Sequence, residues 1–234
     1  MTSTNNNFPK FIHKKINLPK LKRFKDGRGK RYYENESGKK YVSVTTVLDA
    51  WPKPWLKTWE EKIGKDKAEE IRIDALEFGS STHSVVEEIL NNESGYIEND
   101  YFFAARALVK KLINGVNLTD ILGIEKAVCS DNINVAGTID LIVSAKNLIS
   151  SEEIIIFDFK TTRKDLIVRE DHLIQCAAYA KLFEESSGIS VDRIGIIQVS
   201  RVDFSTIISI KDPDHFYDLF LKKLENFNDL ESRL

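Results

Sequence analysis

Cysteine is nearly absent from this chain: Cys129 and Cys176 are the two in 234 residues. They stand far apart in apolar surroundings. That favours buried free thiols over a disulfide and leaves a zinc site without further ligands. Long apolar runs are also missing, and none approaches the ~20 residues that cross a bilayer. The first residues carry no apolar signal segment, so the expected location is intracellular and not secreted. No Gly-rich nucleotide loop is present, so any coupling to a helicase or recombination ATPase has to come from a partner. With 5 prolines and 11 glycines, and no repeat or low-complexity stretch, composition does not split the chain into halves. Its length suits one sizeable core with a small appendage.

Charge is present in quantity but unevenly spread. The net charge is −2, yet residues 1–40 carry 12 Lys and Arg against 3 acids, which leaves the remainder strongly acidic. A basic arm on an acidic body either meets a polyanion or is a solvated, partly disordered tail. Residues 1–7 are polar and read as disordered. Beyond them Phe8, Phe11, Phe24, Tyr32 and Tyr33 interleave with the basic residues. Asp26-Gly27-Arg28-Gly29 is a turn signal, and 31–33 with 39–42 reads as a short hairpin around Asn35-Glu36-Ser37-Gly38. The expected division is an arm, 1–40, and a domain, 41–234.

Within the domain, hydrophobic spacing predicts helices at 56–64, 66–78, 80–90 and 101–113. Strands are predicted at 124–130, 135–144 and 153–161, then a helix at 170–186 stopped by Gly188. A hairpin, 194–202 with 205–210, and an amphipathic helix, 212–230, close the chain. This is an α/β pattern: a mixed central sheet flanked by helices, with a helical front part, 41–113, ahead of a sheet core, 114–234.

The chemistry concentrates between residues 137 and 160. Gly137-Thr138-Ile139-Asp140 and Ile156-Phe157-Asp158-Phe159-Lys160 put two carboxylates and a lysine into apolar, strand-like runs. Alternation places Asp158 and Lys160 on one face, roughly 7 Å apart along the strand. A core strand tolerates such charges when they are paired, metal-bound or at its end. Alone, Asp-x-Lys is far more often an ordinary edge-strand pair than a site. Asp140 on a neighbouring strand raises its weight, because two carboxylates facing one cleft need a cation or a proton between them. Oxygen ligands without a thiolate cluster select Mg²⁺ or Mn²⁺. Upstream, His83 and Glu87 share a helix face four residues after Gly79, as a surface pair or as part of a site. Downstream, Gln175 and Tyr179 stack on the flank of the next helix. Thr161 and Thr162 either donate hydroxyls to a phosphate or end the strand.

In chain order these are Gly-x-x-x-His-x-x-x-Glu, then Glu125, Gly-x-x-Asp, Asp-x-Lys-Thr-Thr and Gln-x-x-x-Tyr. The combination resembles the RecB-like branch of the PD-(D/E)xK nuclease superfamily. The run 41–48, with the following tryptophan and Gly64, is similar to the front end of the mitochondrial genome maintenance exonuclease family and its phage and bacterial relatives. The resemblance implies a restriction-endonuclease-like core with a helical segment over the cleft. It implies His83, Asp140, Asp158 and the Phe159 carbonyl as metal ligands, and Lys160 as the lysine that positions the attacking water. Glu125 and Glu87 match acidic positions near the site and join Lys160, Asp158 and Asp140 as the catalytic residues the resemblance implies. Gln175, Tyr179, Thr161, Thr162, Ser43 and Thr45 would meet the DNA strand. One departure is the stretch 141–153 between the two aspartate strands, which looks like an insertion.

The function expected from this set is a Mg²⁺- or Mn²⁺-dependent deoxyribonuclease, foremost an exonuclease on single-stranded or end-resected DNA in replication, recombination or repair. A structure-specific endonuclease uses the same chemistry. A non-catalytic DNA-binding module on a decayed nuclease fold is the reading from another class, and the complete acid, acid and lysine set argues against it. Trp51, Trp55 and Trp59 either stack on bases or belong to the core.

Overall fold

A computed structural model describes residues 8–51 and 54–232, the side chains of 54 and 55 excepted. The fold is α/β: a mixed eight-stranded sheet flanked by helices. In chain order the strands are β1 (Leu21–Lys25), β2 (Arg31–Asn35), β3 (Lys40–Ser43), β4 (Leu118–Ser130), β5 (Val135–Lys146), β6 (Glu152–Thr162), β7 (Arg193–Ser200) and β8 (Thr206–Lys211). They lie in the order β1-β2-β3-β5-β6-β7-β8, with β4 paired to β5. The helices are α1 (Val44–Asp49), α2 (Pro54–Ile63), α3 (Lys65–Leu90), α4 (Asp100–Gly115), α5 (Glu170–Ser187) and α6 (Asp214–Glu231). Among the described residues no helix is long and apolar enough to cross a membrane.

Two cores lie on the two faces of the sheet. On one, α1, α5 and α6 pack over Val135, Ile139, Ile156 and Ile194. On the other, α3 and α4 cover Leu141, Val143, Phe157 and Phe159. Strand β6 keeps strict alternation between them, which turns Asp158 and Lys160 toward α5 as the sequence pattern predicts. The front helices do not form one layer over a cleft, because α1 belongs to the α5 and α6 face and α3 with α4 to the opposite one.

The sheet forks. β5 and β6 pair antiparallel from Lys146↔Glu152 to Leu141↔Phe157 and no further. Beyond that point β6 continues with β7 alone, while β5 begins beside β3 at Val42↔Val135 and Ser43↔Ala136. Residues 137–140 of β5 therefore run along an open gap. Face alternation also slips here: Val135 and Ile139 face α5, whereas Leu141 and Val143 face α4. The neighbouring strand slips at the same level, between Ile124 and Val128, where Glu125 adopts φ 49. Paired irregularities of this kind re-aim side chains out of a regular sheet.

Several sequence expectations change on this frame. The stretch 141–153 is no insertion, since β5 runs on to Lys146, β6 starts at Glu152, and a short hairpin turn joins them. The helices expected on either side of Gly79 are one continuous helix, α3. A Cβ on Gly79 would stand 3.4 Å from Thr161 Oγ1, so this residue lets the helix cross the end of β6 closely. The arm is not a tail: β1 and β2 belong to the central sheet, and ahead of them Ile12 and Lys14 bond to both sides of Ile121. Residues 1–7 lie outside the described residues. The expected hairpin at 31–42 and the left-handed Gly188 stop of α5 are both present.

Gly137 shows how tightly the fork is packed. A Cβ there would lie 2.3 Å from Tyr179 Cε1, inside a ring that is itself 4% exposed. Gly137→Ala should lower unfolding stability by about 1–3 kcal/mol, the usual cost of overpacking. A urea titration followed by circular dichroism checks this, and an unchanged midpoint would refute the packing argument.

Candidate metal centre and cleft

Asp140 sits at the branch point of the fork. Its Oδ2 accepts a 2.8 Å hydrogen bond from the Phe159 amide, which has no β5 carbonyl left to bond. An unpaired amide in this interior would cost roughly 1–3 kcal/mol, so the carboxylate completes the sheet. His83 reaches the same point from α3. Its Nε2 lies 2.9 Å from the Phe159 carbonyl and its Nδ1 lies 3.5 Å from Asp140 Oδ2. With Nε2 donating to the carbonyl, Nδ1 presents its lone pair toward the carboxylate. Glu125 joins from the kinked position of β4, so that ligand atoms of His83, Glu125 and Asp140 all lie within 4.8 Å of one another.

This crowding is visible electrostatically. Desolvation of its carboxyl end, with repulsion from Asp140, pushes the Glu125 pKa up to about 7, although the residue as a whole is exposed. Lone pairs gathered without a matching positive charge fit a divalent cation. One imidazole and two carboxylates, with no thiolate, suit Mn²⁺ or Mg²⁺.

Behind this group stands a second one. Lys160 Nζ lies 2.7 Å from Asp158 Oδ2, and the Asp158 side chain is 2% exposed against 24% for Lys160. Gln175, on α5, donates from Nε2 to Asp158 Oδ1 at 3.0 Å and to Tyr179 Oη at 3.1 Å, and its Oε1 accepts from Lys160 Nζ at 3.4 Å. Burial pushes the Asp158 carboxyl up, joined by Asp140 and opposed by Lys160. Burial works against the Lys160 ammonium, but Asp158 and Asp140 outweigh it and hold its pKa above the ordinary value. Lys160 is therefore a charged donor at neutral pH. Asp158 Oδ2 is buried, with Lys160 Nζ at 2.7 Å as its ion-pair partner.

All of this opens into one cavity of 740 Å³. Of the residues singled out from sequence, His83, Glu87, Glu125, Asp140, Asp158, Phe159, Lys160, Thr161, Gln175, Tyr179 and Thr45 line it. The grouping differs from the expected one. Glu125 belongs with His83 and Asp140, whereas Asp158 is engaged by Lys160 and Gln175, and the Phe159 carbonyl is engaged by His83. Glu87 is on the wall, one helical turn from His83 and outside the convergent group. Ser43 does not meet solvent. It is 1% exposed, and its Oγ caps α1 by accepting from the Thr46 amide. Thr162 lies outside the cavity. Trp51 and Trp59 do not line it either; Trp51 packs under Lys223 of α6, and the Trp55 side chain lies outside the described residues.

Sequence reasoning missed Arg23, Arg31, Tyr33 and Thr138, which also line the cavity. Tyr33 Oη bonds Thr138 Oγ1 at 2.9 Å and seals the floor of the gap. The only linear signal for them was the basic hairpin, which does not say where in the sheet it docks.

No family model matches the sequence, and neither does any curated protein. Among solved structures the chain is similar to the crystal structure of the protein SSO0001, at 14% identity and a TM-score of 0.45, over 81% of this chain and 75% of that one.

The crowding at Glu125 has a measurable consequence. Its folded pKa near 7 exceeds the ordinary 4.5, so folding is favoured while the group is protonated and loses that contribution as pH rises through 7. In EDTA, Glu125→Gln should therefore raise the melting temperature above pH 7 by about 2 °C, a small gain because the residue is solvent-screened. The gain should vanish near pH 4.5. Thermal melts at the two pH values check it, and equal shifts at both would refute the charge-crowding argument.

Proposed function

We propose that this protein is a Mn²⁺- or Mg²⁺-dependent deoxyribonuclease of the PD-(D/E)xK type, with a restriction-endonuclease-like core. The observation that carries the reading is the convergence in one cavity of His83, Glu125 and Asp140, within 4.8 Å, with an Asp158–Lys160 pair at 2.7 Å. A carboxylate and imidazole group next to a fixed ammonium is what hydrolysis of a phosphodiester requires: charge to meet a polyanion, and a donor to place water.

His83, Glu125 and Asp140 would hold the ion, with Asp158 on their flank. A divalent cation there would supply Lewis acidity toward a phosphate oxygen. Lys160, held by Asp158 and Gln175, donates a hydrogen bond to the attacking water and offsets charge that develops on the phosphate. Tyr179 and Gln175 fix that lysine from below. The water oxygen bonds to phosphorus, one bridging P–O bond breaks, and the leaving sugar oxygen takes up the proton released by the water. Thr161 lines the same cavity and would donate to a neighbouring phosphate.

The substrate proposed is DNA, single-stranded or with free ends, and the mode exonucleolytic, inside the cell and in the service of repair or recombination. Labelled single- and double-stranded DNA, linear and circular, incubated with Mn²⁺, Mg²⁺ or EDTA, tests every part. Linear strands should be shortened with either metal and spared in EDTA. Cutting of circles would replace the exonuclease by an endonuclease, and binding without any cutting would leave a DNA-binding module. Lys160→Ala and Asp158→Ala should each lower the rate by about 10³-fold or more, with circular dichroism unchanged. Full activity in either variant would remove this site from the mechanism.

A further inference from the structure

The basic arm offers a second site, distinct from the acidic group. Its charge is not free as a whole. Lys14 pairs with Asp120, Lys20 with Glu36, Arg28 with Asp26 and Glu231, Lys30 with Glu231, and Lys39 with Asp131. These cations are matched by carboxylates of β4, of α6 and of the turns between strands. Lys10, Lys15, Lys22, Lys25 and Lys40, like Arg23 on β1 and Arg31 on β2, form no ion pair among the described residues, but of the arm's cations it is Arg23 and Arg31 that line the same cavity as Asp140 and Lys160. Their backbones are held in the sheet. β1 and β2 pair over Leu21↔Asn35 to Lys25↔Arg31. The Arg31 amide donates to Thr46 Oγ1 at 3.0 Å, the Arg31 carbonyl accepts from the same hydroxyl at 3.0 Å, and the guanidinium donates to Thr45 Oγ1 at 3.4 Å. Thr45 thus acts through Arg31, because its hydroxyl is already bonded to Ser43 and to that guanidinium.

The same cavity is lined by His83 on α3 and Lys160 on β6. A nucleic-acid strand lying over the fork would meet the carboxylate and lysine group with one phosphate, leaving an adjacent phosphate toward the arm. Arg23 acts on Glu125 by charge alone and neither guanidinium is in an ion pair among the described residues, so both can donate to a phosphate's oxygens. We propose that Arg23 and Arg31 form a phosphate-binding subsite, which holds a phosphate of the strand beside the one to be cleaved. The proposal rests on the nuclease reading for its substrate, and two sources share its chemistry: an internal phosphodiester or a terminal phosphate monoester.

Binding separates this subsite from catalysis. Fluorescence anisotropy in EDTA with a labelled single-stranded oligonucleotide, across a series of salt concentrations, reads affinity without cleavage. Arg23→Ala and Arg31→Ala should each weaken binding about 10-fold and reduce the slope of log affinity against log salt by about 1. Lys25→Ala, on the same strand but outside the cavity, should change affinity less than about 2-fold. Arg31→Lys, which keeps the charge and the backbone bonds to Thr46, should recover part of the loss and guards against a folding artefact in the alanine variant. Affinity and slope equal to wild type in both alanine variants would overturn the subsite, as would equal losses in Lys25→Ala. Repeating the series with 5′-phosphorylated, 3′-phosphorylated and unphosphorylated oligonucleotides tells the sources apart. A loss confined to one phosphorylated end assigns a terminal phosphate, and equal losses assign an internal one. A wild-type protein that binds DNA with this arginine dependence but never cleaves it would defeat the nuclease reading and leave the subsite standing.

Discussion

The hydrogen bond from the Phe159 amide to Asp140 is the constraint on which the rest of the site depends. β5 and β6 separate after Leu141↔Phe157, and a buried amide at the start of the gap needs an acceptor. A carboxylate meets that need and brings a negative charge into the fork. Once it is fixed there, the surroundings follow. His83 fits between Asp140 and the Phe159 carbonyl, Glu125 is turned toward the same point by the kink in β4, and Tyr179 closes over Gly137. One bond thus serves fold and chemistry together, and a neutral acceptor at residue 140 would keep the first and lose the second.

The continuity of α3 matters for the same reason. A helix broken near Gly79 would leave the direction of His83 to a loop. As one long helix it sets His83 and Glu87 on a single stripe, and the missing side chain at Gly79 brings that stripe to within reach of β6. A mid-helix glycine costs about 1 kcal/mol relative to alanine. Here the close crossing with Thr161 offsets it.

What was legible in the sequence was local and periodic. Alternation in 154–160 gave the shared face of Asp158 and Lys160, and helical spacing gave the stacking of Gln175 and Tyr179 that joins both to the lysine. What was not legible depends on contacts distant in the chain. The fork arises where β3, from the front of the chain, docks beside the start of β5, and no linear pattern encodes that pairing. Glu125 looked like a site acid of unspecified role because its left-handed backbone, which turns it toward Asp140, has no signature in its neighbours. Ser43 looked available because a helix N-cap and a DNA contact draw on the same residue type, and only burial separates them. The stretch 141–153 looked like an insertion because its turn residues sit late in it, after six further strand residues of β5 that alternate faithfully.

The arm illustrates how a charge count misleads without geometry. Twelve cations in forty residues suggested a diffuse grip on a polyanion, yet exposed ion pairs are worth about 0–1 kcal/mol each and do not hold the arm in place. Backbone bonds do that: the β1–β2–β3 ladder, the two bonds of 12–14 to Ile121, and the Asn92 side chain, which bonds both the amide and the carbonyl of Phe11. The ion pairs instead cancel charge where the arm runs over acidic parts of the body. At the fork two of the arm's cations, Arg23 and Arg31, line the same cavity as the body's carboxylates. A uniformly basic arm would draw a polyanion anywhere along its length. Lys14, Lys30 and Lys39 are engaged by carboxylates elsewhere, so position in the sheet, and not the charge count, sets which of the arm's cations reach that cavity.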